Sequence, residues 1–387
     1  MIRRIIGQIH LWTGVMLFVP FALIGLTGSI LVFEDELNKA FRADHGAIAG
    51  TARATGEIIA AARAVAPAGF VPVGYTAPMF PGGLALVRLS PGRRDSPGAD
   101  MVRIRVDPVS LETVPEKSTD IVRQIFFLHS TLLMKNREGR QLVGWLGLGM
   151  LVMGVSGLTN WWPRRGQWRG AFSISKQAHR FQLHREVHGA AGIWGLAVFV
   201  VVSLAGVSLA FPETARSVID LVLPARDLRG TAAGLKIEPI AGVQPADIDE
   251  AIALARGTVL GAEPSFASLP ARADQPLRIG LLRADQQRGT PTLTIFVDPW
   301  SRRVIEVLDP REYSIGEKIL AWQHALHTGQ ALGWIWKLLV FLCGLLPPLF
   351  AVSGVTMWRL RRARSRSRLD VPDLILEEVN AARRAGE

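Results

Sequence analysis

Residues Ile9–Phe33, IHLWTGVMLFVPFALIGLTGSILVF, lie over residues Val187–Phe211, VHGAAGIWGLAVFVVVSLAGVSLAF, without a gap. This register pairs His10 with His188, Gly14 with Gly192, Gly28 with Gly206 and Phe33 with Phe211. A second set of echoes follows. Leu128-His129 matches Leu326-His327, Val155-Ser156-Gly157 matches Val352-Ser353-Gly354, and Trp162-Pro163-Arg164-Arg165 resembles the WRLRR of 358–362. The chain reads as two copies of one unit, each carrying one histidine at each of two equivalent places. A histidine beside lipid is costly unless it has a partner or a task. Four of them in repeat-related pairs point to two metal centres.

Hydrophobic residues make up 49% of the chain and charged residues 20%, so it is apolar enough for membrane spans yet keeps sizeable soluble parts. Four apolar runs are long enough to cross a hydrocarbon core of about 30 Å as helices: Leu11–Phe33, Leu142–Trp162, Ala190–Phe211 and Trp334–Trp358. Pro20 falls inside the first and Pro347-Pro348 inside the fourth. Spanning helices tolerate such breaks when neighbours satisfy the freed carbonyls, so kinks are expected there.

Charge sets the orientation. Arg3 and Arg4 precede the first span, and Glu34, Asp35 and Glu36 follow it. Arg164, Arg165, Arg169, Lys176, Arg180 and Arg185 lie between spans two and three, and an arginine-rich tail follows span four. The positive-inside rule then makes both termini and the middle loop cytoplasmic. In the long connections Lys plus Arg nearly balance Asp plus Glu, at 11 against 11 in 34–128 and 13 against 15 in 212–324. The formal charge of +11 therefore sits on the cytoplasmic face. That distribution points to a bilayer and its anionic lipid and excludes nucleic acid as the partner.

The first span has a basic flank, and Ala47-Ile48-Ala49 resembles a cleavage box, but its apolar run exceeds that of a signal peptide and its repeat mate is internal. It is read as retained. The single cysteine, Cys343, allows no disulfide within the chain, and no Cys-x-x-Cys-His is present for covalent haem attachment.

Each long connection reads as a small α/β domain. In the first, Thr55–Ala66 is helical, and Leu84–Leu89 and Met101–Val106 alternate as strands, ending in Val106-Asp107-Pro108. In the second, Pro245–Gly257 is helical, followed by strands Leu277–Leu282 and Thr292–Val297, ending in Val297-Asp298-Pro299. Neither holds a Ser/His/Asp grouping, a phosphate loop or carboxylates at ligand spacing. The organisation expected is span one to residue 33, an outer domain over 34–128, and an interfacial helix with span two over 129–162. A basic cytoplasmic loop over 163–187, span three over 188–211 and a second outer domain over 212–324 follow. An interfacial helix with span four over 325–358 and a basic tail over 359–387 complete it.

With its basic-His-x-x-x-Gly entries to spans one and three, its outer Val-Asp-Pro strands and its Leu-His before spans two and four, the chain resembles the PepSY-associated transmembrane family over roughly 1–362. The resemblance implies a mainly α membrane protein whose two periplasmic α/β domains are PepSY-like. For the ferric-siderophore reductase branch it also implies b-type haem held by histidines.

The residues make their own case for haem. A six-coordinate haem takes one histidine on each face, so the two ligands come from different helices. His10 and His188 occupy equivalent places at the cytoplasmic ends of spans one and three, and packing of the two copies about a pseudo-two-fold axis brings them face to face. Gly14 and Gly192, one turn further in, remove side chains where a macrocycle approaches, or serve as small-residue helix contacts. His129 and His327 sit on short apolar stretches at the outer ends of spans two and four. The 24 residues from His10 to Phe33 rise about 36 Å as a helix, too far for one haem to serve both surfaces. Two haems b are expected, and their iron ligands are His10, His188, His129 and His327.

His184 lies four residues before His188 and His324 three before His327. Each pair shares a helical face, which can hold zinc or copper but cannot clamp one haem. His184 and His324 are therefore contacts to the cofactor's edge, or alternate ligands. His45 and His179 are read as solvated, and Trp161, Trp162, Trp334, Trp336 and Trp358 as an aromatic belt.

The expected activity is electron transfer across the bacterial inner membrane to a ferric siderophore at the periplasmic face, where reduction releases iron. The sequence has no Gly-x-Gly-x-x-Gly fingerprint, so the electron donor, quinol or a cytoplasmic reductase, is a separate molecule. The alternative is a non-enzymatic membrane protein whose PepSY domains bind or regulate a periplasmic partner. A metal transporter is disfavoured because the spans carry almost no carboxylates.

Overall fold

The computed structural model describes residues 1–41, 50–78, 82–91, 101–115, 121–134, 137–175, 177–270, 272–287 and 289–363. His45 lies outside them. Helices in chain order are α1 (Ile2–Leu31), α2 (Glu34–Phe41), α3 (Thr55–Ala64), α4 (Ile121–Thr131), α5 (Arg137–Trp161), α6 (Trp168–Ala171), α7 (Arg180–Ala210), α8 (Pro212–Asp220), α9 (Leu228–Gly234), α10 (Ile248–Thr258), α11 (Ile315–Thr328) and α12 (Gly333–Gly344). Strands are β1 (Phe70–Thr76), β2 (Ala85–Pro91), β3 (Val102–Val106), β4 (Thr113–Pro115), β5 (Glu263–Ser268), β6 (Leu277–Leu282), β7 (Leu293–Asp298) and β8 (Arg303–Leu308). They fall into two compact units. One comprises Met1–Val32, Leu128–Val207 and Leu338–Glu387, and the other Phe33–Phe127 and Ser208–Lys337.

The first unit is a helix bundle. Four helices, Ile2–Leu31, Arg137–Trp161, Arg180–Ala210 and Gly333–Ala363, are long and apolar enough to cross a membrane, and the chain is a membrane protein. Three of them begin several residues before the apolar run that announces them, because arginine stems can lie along a helix while their heads stay in water. The bundle closes through small residues. Phe21 and Ile24 of α1 pack with Leu146 and Met150 of α5, Gly147 of α5 faces Val207 of α7, and Gly195 of α7 faces Leu346. A Cβ on Gly25 would stand 2.5 Å from the carbonyl oxygen of Gly344, so only glycine allows that crossing of backbones. Large apolar side chains such as Trp194, Met16 and Val352 remain exposed, as a lipid-facing surface requires.

The two expected kinks differ. Pro20 lies within an unbroken α1. At Pro347-Pro348, by contrast, the helix is interrupted at Leu345, which closes with a tight Leu345 N to Leu342 O bond of 3.1 Å, and it resumes at 346. Two successive prolines remove two amide donors, so the break is sharper than one proline makes.

Basic residues gather at one end of this bundle. Arg3 donates to the carbonyls of Asn160 (3.1 Å) and Trp162 (2.9 Å) at the end of α5, and Arg361 lies over the ring of Phe181 at the start of α7. A guanidinium on terminal carbonyls satisfies acceptors the helix leaves open and meets the negative end of its dipole.

The second unit is one antiparallel sheet in the order β4-β3-β2-β1-β5-β6-β7-β8. This differs from the expectation of two separate α/β domains. One helix followed by four strands occurs twice, and the two sets join where β1 pairs β5, with Gly74 opposite Ser268 and Tyr75 opposite Ala267. An isolated set would leave the outer backbone groups of β1 or β5 unpaired, and pairing the two edges satisfies both. These strands were not legible because FVPVGYT and EPSFAS carry Pro, Gly and Ser; each bulges beside its proline, at Pro72/Gly74 and Pro264/Phe266. β4 and β8 were also missed. Helices α3 and α10 cover one face. There Ile58, Ala62, Ala251 and Ala255 meet Val87, Ile104, Ile279 and Ile295, all essentially sealed from solvent. Burying each large side chain contributes about 1.5–3 kcal/mol.

The two Val-Asp-Pro sequences make the same turn. Asp107 Oδ1 accepts from the amides of Val109 (2.8 Å) and Ser110 (3.0 Å) between β3 and β4. Asp298 Oδ1 accepts from the Trp300 amide (2.9 Å) between β7 and β8. An aspartate that caps its own turn fixes where each hairpin reverses.

Candidate functional site

His10 sits two turns inside α1, and His188 two turns inside α7. Their rings approach with centroids 6.2 Å apart and planes at 73°. Each is held through Nδ1 by a buried serine from a different helix. His10 Nδ1 lies 2.9 Å from Ser156 Oγ on α5, and His188 Nδ1 lies 2.8 Å from Ser353 Oγ within 346–363. Ser156 Oγ donates to Val152 O at 2.6 Å, and Ser353 Oγ donates to Leu349 O at 2.8 Å. A hydroxyl has one proton. With that proton committed to the helix carbonyl, Oγ accepts from Nδ1–H, and each imidazole is left with its lone pair on Nε2. This is the tautomer a metal-binding histidine uses, oriented by a partner on its other nitrogen.

The glycine after each serine makes room for the ring. A Cβ on Gly157 would stand 3.3 Å from His10 Cε1, and one on Gly354 would stand 3.8 Å from His188 Cε1. The doubled Val-Ser-Gly is thus one device used twice. In the sequence it marks the repeat and shows no task of its own. The available signal was a small polar residue at matching places in two apolar helices.

Of the two readings of Gly14 and Gly192, the structure shows contact with side chains of neighbouring helices. A Cβ on Gly14 would stand 3.1 Å from Met153 Cε, and one on Gly192 would stand 3.8 Å from Phe350 Cζ. Met153 and Phe350 each precede their serine by three residues, on its face of the helix. The space in front of both glycines is therefore taken by side chains, and they act as helix contacts. Phe350 also flanks His188, with centroids 4.7 Å apart.

His129, in the last turn of α4, is held similarly in the bundle unit. Its Nδ1 donates to Ile24 O at 3.0 Å, with Thr27 Oγ1 at 3.2 Å, while Thr27 Oγ1 donates to Leu23 O at 2.7 Å. A Cβ on Gly28 would stand 2.9 Å from His129 Cε1, so glycine there leaves room for the imidazole. His327 occupies the matching last turn of α11 and belongs to the sheet unit.

His184 is half-buried one turn before His188 on α7, whereas His324 and His179 are exposed. Among the described residues no three His, Cys, Asp or Glu side chains converge as a metal site. Neither same-helix histidine pair therefore gains the further ligands a zinc or copper site needs.

The donor set fits haem. Two imidazoles from different helices, each with Nδ1 engaged by a serine, are the residue types that would hold a b-type haem. His10 and His188 would hold that group.

The family model for the PepSY-associated TM region matches residues 8–361, nearly the whole chain. No curated protein matches it.

Proposed function

We propose that this chain, which belongs to the PepSY-associated TM family, is a haem b protein of the bacterial inner membrane that reduces ferric siderophore at the periplasmic face and so releases iron. The observation that carries the reading is the pair of repeat-related His–Ser contacts, 2.9 Å at His10 and 2.8 Å at His188, on rings whose centroids are 6.2 Å apart. A structural histidine needs one partner. Two from different helices that share the same tautomer and the same serine device, with rings in contact, suit a shared metal.

Haem, when bound, would supply a one-electron carrier. The protein does the rest. His10 and His188 bind, Ser156 and Ser353 hold the rings and their Nδ1 protons, and the apolar helices keep water away. His129, whose Nδ1 donates to Ile24 O, is assigned to a second haem. Reduction of Fe(III) to Fe(II) weakens hard oxygen ligands, which is how a chelate is made to yield its metal. The basic end of the bundle supports a cytoplasmic location for both termini and a periplasmic one for the sheet. Quinol or a cytoplasmic reductase supplies the electrons.

The test is direct. Purified protein should show a sharp Soret band and reducible α and β bands; a colourless protein would sink the reading in favour of a non-enzymatic regulator. Protein reduced with dithionite and freed of excess reductant should be reoxidised by ferric siderophore, with Fe(II) trapped by a ferrous chelator. Wild-type protein that stays reduced under several chemically different ferric chelates would overturn the reductase.

A further inference from the structure

A cleft of about 460 Å³ lies at the basic end of the bundle, between the first turns of α1 and the last turn of α5. Ile2, Arg3, Ile6, Leu158, Thr159 and Trp162 line it. Small-molecule sites are mostly apolar hollows of roughly 300–1,000 Å³ with a few polar groups that orient the guest. Here Arg3 and Thr159 are the polar groups, and the rest of the lining is apolar.

Both polar groups are set by bonds to α5. Arg3 commits its Nη2 hydrogens to the carbonyls of Asn160 and Trp162, at 3.1 and 2.9 Å. This fixes the guanidinium and leaves its Nε–H and Nη1 hydrogens as donors. Thr159 Oγ1 donates to Ser156 O at 2.8 Å, so its oxygen is left as an acceptor for an incoming O–H. The cleft therefore offers a charged donor and a neutral acceptor on walls that are otherwise apolar.

The same residues lead to the paired histidines. Ile6 lies one turn before His10 on α1, and Thr159 lies one turn after Ser156 on α5. Ser156 Oγ in turn holds His10 Nδ1 at 2.9 Å. One helical turn rises about 5.4 Å, so the cleft adjoins the proposed metal ligand.

We propose that this cleft binds the ring of an isoprenoid quinol, the electron donor of the chain. A quinol carries two hydroxyls across a flat apolar ring, one able to donate to Thr159 Oγ1 and the other to accept from Arg3. A phosphate headgroup only accepts, and would leave the Thr159 oxygen without a donor. Ile2 and Trp162 are 75% and 53% exposed, so the cleft is open on a side where a prenyl tail can pass into lipid. Oxidation of one quinol to the quinone breaks two O–H bonds, releases two protons to water, and yields two electrons. These suffice to reduce two ferric ions to ferrous ones. The choice of a quinol rests on the proposed reductase, which needs a separate donor; occupation of the cleft is measured without it.

Full-length protein in phosphatidylcholine nanodiscs is irradiated with an azido derivative of decylubiquinone, and the labelled peptides are mapped by mass spectrometry. Label should fall on Ile2–Ile6 and Leu158–Trp162 and be displaced by decylubiquinol. Arg3→Leu and Thr159→Val should each weaken that displacement by about ten-fold or more, since each removes one hydrogen bond to the ring's oxygens. Ile6→Trp, which fills the cleft and keeps both polar groups, should abolish labelling there. Thermal melting checks each variant, and Thr159→Val removes only a hydroxyl bonded to its own helix, so it should fold. Label confined to other peptides, or unchanged displacement in folded Arg3→Leu and Thr159→Val, would overturn the site. Displacement by dissolved phosphatidylglycerol as effective as by decylubiquinol would assign the cleft to lipid headgroups and overturn it too. Haem content and reoxidation by ferric chelate are followed in the same samples. Protein that holds haem and reduces the chelate but takes no label in the cleft loses the quinol site and keeps the reductase. A colourless protein labelled in the cleft keeps the site and loses the reductase.

Discussion

The imidazoles of His10 and His188 come from different helices, yet they stand 6.2 Å apart and are held by serines at matching distances of 2.9 and 2.8 Å. Neither helix places its own histidine alone. Each ring is steered by a hydroxyl from the helix packed against it, so ring geometry reports how the bundle is assembled.

If the two rings share an iron, His10→Ala and His188→Ala should be indistinguishable in haem content and in reduced spectrum. Each substitution removes one axial ligand of the same centre. Wild-type protein should hold about two non-covalent haems, extractable by acid acetone, and each mutant about one. Mutants with different residual spectra would mean that these residues do not share a metal. A wild-type ratio of one or less in fully loaded protein would remove the second centre.

The serines act through the histidines, so their removal should loosen the cofactor without abolishing it. Ser156→Ala or Ser353→Ala leaves a buried Nδ1–H without its acceptor, a cost of about 1–3 kcal/mol. Loss of a partner behind a metal ligand typically weakens metal binding by roughly ten- to a hundred-fold. Transfer of haem to apomyoglobin should speed up accordingly, with the midpoint potential displaced from wild type. Transfer rates and potentials equal to wild type in both variants would show that the serines only pack.

Gly28 offers an independent probe of His129. Gly28→Ala puts a methyl group 2.9 Å from His129 Cε1, too close for the ring to stay. Haem content should fall by about one equivalent while the spectrum assigned to His10 and His188 is retained. Reoxidation by ferric siderophore should slow severely in this variant and in His129→Ala. A fully loaded, fully active Gly28→Ala would separate His129 from iron.

One ion pair ties α11 to the segment before α9. Glu317 is only 3% exposed, and its carboxylate accepts from Arg226 Nε at 2.6 Å and Nη2 at 3.2 Å, and from the Ser314 amide at 2.9 Å. The hydrogen bond from Arg226 holds the Glu317 pKa below its usual value. A depressed carboxyl stabilises the fold above its unfolded pKa of about 4.3, and that contribution is lost as pH falls through the folded value. Because Arg226 is largely exposed, water screens the pair, so Glu317→Gln should cost about 1–2 kcal/mol. Thermal melting at pH 7 should show this loss, and the gap from wild type should shrink as the pH falls below 4. A gap that does not change with pH would dissociate the carboxylate from the effect.

The four apolar spans were legible in sequence because they depend on a local property, the length of an apolar run. His10 and His188 could be singled out by the same means, since a histidine in an apolar segment stands out by its cost. The serine partners could not, because Ser156 and Ser353 are remote in sequence from the rings they orient. Small hydroxyls are also common in apolar helices, where they bond to their own carbonyls.

Sequence alone thus determined what kind of molecule this is and which residues are costly enough to need a reason. Tertiary structure decided which of them meet. Two segments that read as separate domains became one sheet because β1 and β5 each have an edge that only the other satisfies, and such pairing leaves no local pattern in strands rich in Pro, Gly and Ser. Gly14 and Gly192 were legible as missing side chains, but what fills the gap is set by neighbouring helices, and Met153 and Phe350 fill it. In each case the deciding term is a hydrogen bond or a van der Waals contact between residues far apart in the chain, whose energy exists only once the packing brings them together.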